Sequence, residues 1–314
     1  MRIISYPYAD INDEFDEVTL LDHLNGFTST GTNSMLDVMN AKDRKIKVVY
    51  HQILSDKIKD QYKNLDICFS ATLQRNMNFR HFEKYNIHPI VHIKNFLCSF
   101  NGSPHVSRQL LVSALHVFGL FDSDYCSKTF SISSDEIENH ISFFLDGDDS
   151  FYRKFFVNAD FNDFAQTINE FKYERFAHAS NIYTLEHKLT QSFVHLVSET
   201  LATSYHPFVT EKFLYSIVTR GLFLSYAQPG WHKQIEKYYG FKLYTKLFDY
   251  SFDLIDNPVK RLVELITMIS KFSKLSYDDL YDIYLIELDT INYNYDHYFS
   301  GRYLEHLKQY GTNI

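Results

Sequence analysis

The stretch Phe193 to Tyr226, FVHLVSETLATSYHPFVTEKFLYSIVTRGLFLSY, decides how this chain folds. The apolar run Phe193 to Val197 reads as a strand that ends at Ser198-Glu199-Thr200. Thr210 then opens a short helix with Glu211 and Lys212 in its first turn, and a second strand follows Gly221. Strand, loop, helix and strand in this order make a parallel βα unit. In such sheets ligands bind beyond the carboxyl ends of the strands, beside helix N-termini. Lys212 breaks a local rule there, because a cation in a first helical turn opposes the helix dipole at a cost of about 0.3 to 1 kcal/mol unless an anion lies near. That conflict at a ligand-facing edge points to an anion site.

The same alternation runs upstream. Arg2 to Ser5, Ile46 to Tyr50, Leu65 to Phe69 and Pro89 to Ile93 read as strands, with helical stretches at Ser34 to Asn40 and Ser55 to Lys63 and a polar loop over Asn25 to Asn33. Asn95 to Phe100 is the next strand. It runs into Asn101-Gly102-Ser103-Pro104, read as a turn, an N-cap serine and a proline at the first helical position. The helix beyond carries Leu110, Leu111, Ala114, Leu115 and Phe118 at helical spacing, holds Arg108 near its start and closes at Gly119.

Lys128 to Ile132 and Phe241 to Tyr244 are further strand candidates, and Trp231 to Tyr239 reads as a helix ended by Gly240. Asn257-Pro258 starts an amphipathic helix with Leu262, Val263, Ile266, Ile269 and Phe272 on one face. Ser276 and Asp279 cap the next. The expected division is an N-terminal α/β domain over 1–93, a ligand-binding α/β domain over 94–272 and a helical segment over 273–314.

Composition excludes several classes. A net charge of -8 and the absence of a Lys/Arg stripe argue against nucleic acid and anionic membranes as main partners. No segment approaches the length of a membrane span. The three cysteines, Cys68, Cys98 and Cys126, are an odd number at wide spacings, which fits reduced structural thiols in a cytoplasmic protein. The 28 Phe and 24 Tyr are read mainly as core filling, with sugar stacking as the second use. Fifteen histidines form no HExxH, so no metal site is expected. Asp146-Gly147-Asp148 reads as an exposed turn rather than a metal motif. GxSxG, the P-loop and GxGxxG are all missing, which disfavours the commonest hydrolases, NTPases and nicotinamide enzymes such as sugar-nucleotide epimerases.

Two strand-loop-helix junctions thus each present a cation, Arg108 and Lys212. Facing one cleft, they would neutralise a diphosphate, with Glu199 and Glu211 accepting hydrogen bonds from ribose or sugar hydroxyls. The rival reading has Lys212 paired with a surface carboxylate and Arg108 in packing. A resemblance favours the first. The segment SETLATSYHPFVTEKFLYSIVTRGLFLSY resembles the donor-binding motif of the α1,3-fucosyltransferase family and its viral and bacterial relatives. Glu199-Thr200-Leu201 stands where that family has E-N-S, Phe208-Val209-Thr210-Glu211-Lys212 where it has Y-I-T-E-K, and Gly221 for the glycine after the helix. Upstream, Lys94 to Asn101 followed by Arg108 is similar to the family's strand ending in S-N with an arginine shortly after.

The similarity covers roughly residues 94–255 and departs at Thr200 and Phe208. It implies a GT-B fold, two Rossmann-like domains facing a cleft with C-terminal helices, and a metal-independent, inverting glycosyltransferase. The implied donor-binding residues are Arg108, Glu199, Thr210, Glu211 and Lys212. No cofactor is implied beyond a nucleotide-sugar co-substrate, first a GDP-sugar such as GDP-fucose, and the acceptor would be a glycan or glycoconjugate. A carboxylate of the first domain would act as base, with Asp10, Asp13, Glu14 and Asp37 as candidates. The main alternative is a non-catalytic glycan-binding protein that retains the fold.

Overall fold

The computed structural model describes residues 2–4, 17–20, 39–50, 59–70, 89–102, 104–122, 124–128, 130–145, 150–157, 178–199, 202, 209–210 and 212–310. Among these residues the chain is α/β with two all-parallel sheets. The first holds β1 (Arg2–Ile4), β2 (Glu17–Leu20), β3 (Ile46–Tyr50) and β4 (Leu65–Phe69) in the order β1-β2-β3-β4. The second holds β5 (Asn95–Asn101), β6 (Cys126–Lys128), β7 (Ser192–Ser198) and β8 (Leu222–Tyr226) in the order β6-β5-β7-β8. Strands β7 and β8 are buried along their whole length, as strands covered on both faces must be.

Three expected strands are corrected. Pro89 to Ile93 is irregular: Ile90 and Ile93 are buried, but the Ile90 N–H donates to the Tyr284 hydroxyl (3.3 Å) instead of joining a ladder. The strand expected from Lys128 ends there, because its partner β5 stops at Asn101, the residue paired with Lys128. Phe241 to Tyr244 forms no strand. The Asn294 side chain meets its main chain instead, accepting from the Lys242 N–H (2.8 Å) and donating to the Lys242 carbonyl (2.9 Å). The loop over Asn25 to Asn33 and the acidic turn at Asp146 to Asp149 lie outside the described residues.

The helices that frame the second sheet are α1 (Val106–Val117), α2 (Ser134–Phe144), α3 (Ser150–Val157), α4 (His178–Leu189) and α5 (Lys212–Val218). Helix α1 starts two residues beyond the expected proline, with extended His105 as its N-cap, and ends at Gly119, whose φ of 65° only glycine adopts freely. After β8 come α6 (Trp231–Gln234), continued as a π-turn over Ile235–Tyr239, and a 3₁₀ turn at Tyr250–Leu254. Helix α7 (Pro258–Ser270) is capped by Asn257, whose side chain accepts from the Val259 and Lys260 amides. Helices α8 (Tyr277–Ile286), α9 (Leu288–Phe299) and α10 (Arg302–Lys308) follow, α8 capped by Ser276 as expected.

Among the described residues, the aromatic side chains mostly fill the interior. Trp231 is 0% exposed, edge-on to Phe213 and Phe223, so it is a core ring and not a ligand platform. Cys98 and Cys126 are buried and form no disulfide; burial pushes the Cys126 thiol up to about 12 and raises that of Cys98 as well. Among the described residues no helix is long and apolar enough to cross a membrane.

Within β7, His195 is fully buried, and its Nε2–H donates to the Leu189 carbonyl (2.7 Å). Desolvation lowers its pKa to about 4. An unfolded histidine takes up its proton near pH 6.5, so the stability that the neutral ring contributes is complete above that pH. It is lost as pH falls from there toward 4. His195→Gln keeps a donor for Leu189 without the titration. Between pH 7 and 4.5 the variant should lose about 2 kcal/mol less unfolding free energy than the parent in chemical denaturation. Equal losses would refute the assignment.

Candidate functional site

In the second sheet the chain leaves β5 to form β6 on one side and returns to form β7 on the other, so strand order reverses between β5 and β7. A crevice opens at such a point beyond the carboxyl ends of the two strands. Helix α1 follows β5 and helix α5 follows β7, and each brings a cation in its first turn: Arg108 is the third residue of α1, Lys212 the first of α5. Tyr284 of α8 accepts from the Ile90 amide and donates to the Arg220 carbonyl (2.9 Å), both just ahead of strands β5 and β8, at the opposite edge.

A continuous chain of hydrogen bonds ties the two junctions together. Ser107 in the first turn of α1 donates through Oγ to the main-chain carbonyl of Glu199 (3.1 Å), one residue past β7. The Glu199 carboxylate accepts from the Thr210 amide at Oε1 (3.1 Å) and from the Thr210 hydroxyl at Oε2 (2.7 Å). Thr210 Oγ1 in turn accepts from the Lys212 amide (3.3 Å), which caps the first residue of α5. Arg108 sits beside Ser107 and is buried, whereas Lys212 is partly exposed.

The geometry assigns roles that the motif alone does not. Glu199 was expected to meet ligand hydroxyls, but it is 0% exposed and engaged by Thr210, so it holds the loop between β7 and α5 in shape. Thr210 links that carboxylate to the start of the helix. Glu211, Thr200 and Phe208 lie outside the described residues, as do Asp10, Asp13, Glu14 and Asp37.

Two groups unnoticed in the sequence brace the same edge. Arg261 of α7 is 1% exposed and donates to four main-chain carbonyls: from Nε to Ala227 (3.0 Å), from Nη1 to Asp256 (3.0 Å) and to Ile255, and from Nη2 to Ala202. Ala202 lies in the connection after β7 and Ala227 follows β8, so one guanidinium fastens both loops. Its sequence signal is slight, namely a position four residues before buried Leu265 on the apolar side of α7.

His232 and Asp253 form the second brace. The His232 amide donates to Oδ2 (3.0 Å), and Nδ1 pairs with Oδ1 (2.8 Å). Nε2 accepts from the Ser225 amide (3.1 Å), so the ring faces a backbone N–H and no nucleophile. The pair fastens β8 to the 3₁₀ turn. Lys128, at the end of β6, is buried, and desolvation lowers its pKa.

No family model, no curated protein and no solved structure matches this chain.

Proposed function

We propose that the chain is a metal-independent, inverting glycosyltransferase of GT-B architecture. It moves a sugar, fucose first among the donors, from a nucleoside diphosphate to a hydroxyl of a glycan or glycoconjugate. One observation carries this reading: Arg108 and Lys212 occupy the first turns of the helices that follow the two strands at the reversal point. Helix N-terminal amides and two cations suit a diphosphate, which neither cation alone would distinguish from any other anion. The likeness of the segment around Thr210 to the fucosyltransferase donor motif supports the same assignment.

In the reaction the acceptor hydroxyl attacks the anomeric carbon while the bond from that carbon to the diphosphate oxygen breaks. The nucleoside diphosphate departs with the bonding electrons, and a carboxylate takes the hydroxyl proton. Arg108 and Lys212 stabilise the charge that develops on the leaving group, a term that is large when the donors are held in place beforehand. Glu199 and Thr210 do that holding through the bonds to Ser107 and Lys212. Glu211 is assigned to the ribose or sugar.

Incubation with a panel of sugar nucleotides and a glycan mixture, with released nucleotide followed, tests the activity; release from none of them contradicts it. Lys212→Ala and Arg108→Ala should each weaken nucleoside diphosphate binding by about tenfold to a hundredfold, as expected for loss of a charge-assisted hydrogen bond. Circular dichroism would check that both remain folded. Undiminished affinity in both would overturn the phosphate role.

A further inference from the structure

Asn101, the last residue of β5, is 1% exposed. Its Nδ2 donates to Ser99 Oγ (3.1 Å) and to the Ser127 carbonyl (3.4 Å). Turning the amide over would set its oxygen against that carbonyl, so the orientation is fixed. Oδ1 is then left buried with no hydrogen-bond partner among the described residues. A buried acceptor left in this way costs about 1 to 3 kcal/mol, and each such group in a native fold calls for an explanation.

Its surroundings indicate one. Asn101 pairs in register with Lys128, so the two lie side by side at the carboxyl edge of β5 and β6. The chain leaves Asn101 for α1, a helix of 12 residues whose N-cap, His105, makes no side-chain cap bond and whose first turn holds Arg108 and no acid. In doubly wound sheets the phosphates sit at this first βα turn, and an acidic side chain further along takes a ribose hydroxyl. Strand β6 reads Cys-Ser-Lys and ends on Lys128, a donor that cannot accept from a hydroxyl. A carbonyl oxygen would repel phosphate, so Asn101 Oδ1 suits the uncharged, hydroxyl-bearing part of a ligand whose charge lies at Arg108.

We propose that Asn101 is a specificity-determining contact of this junction, its side-chain carbonyl accepting a hydrogen bond from a ribose hydroxyl of the bound nucleoside diphosphate. The inference rests on the nucleotide reading given above and adds that the site distinguishes ribose from deoxyribose.

Calorimetric titration of the full chain with GDP, UDP and their 2′-deoxy and 3′-deoxy counterparts tests it. For the base that binds, removing one of the two hydroxyls should weaken affinity by about tenfold to a hundredfold. Asn101→Leu, similar in shape but without the acceptor, should lose the same factor for the ribonucleotide and nothing for that deoxy analogue. The parent comparison needs no variant, so a poorly folded Asn101→Leu would not rescue the idea. Equal affinity of the parent for ribo and both deoxy forms overturns it, as does a folded Asn101→Leu that keeps the ribose preference. If Asn101→Leu instead erases a difference between GDP and UDP while ribose goes unread, the contact belongs to the base and the proposal fails. Absence of binding by any nucleoside diphosphate is a different result, which removes the nucleotide reading and this contact with it.

Discussion

Arg261→Ala is expected to lower the stability of the second α/β unit by about 3 kcal/mol or more, because it leaves several interior carbonyls without donors and opens a cavity. The wild-type guanidinium reaches Ala202, Ala227, Ile255 and Asp256 at once. Removing a buried charge returns some desolvation free energy, which offsets part of the loss but supplies no donor to the carbonyls. Arg261→Lys should recover only part, since a single ammonium cannot span four acceptors in a planar fork. The readout is the urea midpoint of the transition monitored by Trp231, the only tryptophan and a core residue of this unit. With two sheets present, the unfolding need not be two-state, so the midpoint and slope are compared together. An unchanged midpoint would mean that the four bonds are not formed in solution. Because Arg261 fastens the loops after β7 and β8, nucleotide affinity should fall in the lysine variant too.

Gly221→Ala should destabilise the same unit by about 3 kcal/mol, combining overpacking with a lost hydrogen bond. A Cβ at Gly221 would stand 2.1 Å from Cε1 of the His195 ring, which Leu189 holds in place. The ring cannot move aside without breaking that bond inside a strand buried on both faces. Backbone strain is not the reason, because the left-handed conformation falls on Arg220 (φ 56°). There α5 ends with the Gly221 amide on the Ser216 carbonyl (2.8 Å) and the Arg220 amide on Ile217 (3.2 Å). A double variant, Gly221→Ala with His195→Ala, should therefore lose clearly less than the sum of the two single losses. Strict additivity would show that the ring is not the obstacle.

Gly221 also marks what could be read from the sequence and what could not. Its place in a motif was visible; the cause, an imidazole from the neighbouring strand, arises only once β7 and β8 pair. Strands β3 and β4 were legible because each is a short apolar run between polar segments, and the β7-α5-β8 unit because its periods change abruptly. Pro89 to Ile93 and Phe241 to Tyr244 carry the same apolar signal but have their polar backbone met by Tyr284 and Asn294, partners far along the chain. Strand β2 is four residues, Glu17–Leu20, too brief for a period to register.

At the candidate site, the cations Arg108 and Lys212 announced themselves by conflict with a helix dipole or by position after a strand. The role of Glu199 did not, because a glutamate at a loop reads as ligand-facing until the amide and hydroxyl of Thr210 are seen on it. Arg261 and the His232–Asp253 pair were invisible because the fold alone brings their partners near: four main-chain carbonyls for Arg261, and for His232 a carboxylate 21 residues along the chain and the Ser225 amide.

The most direct measurement is calorimetric titration of the purified chain with GDP and UDP, alongside guanosine and uridine. The account predicts saturable binding of at least one diphosphate, no detectable binding of the matching nucleoside, and loss of most of that affinity in Lys212→Ala. Binding of neither diphosphate at millimolar concentration would contradict it, and glycan binding under those conditions would identify a glycan-binding protein without a donor site.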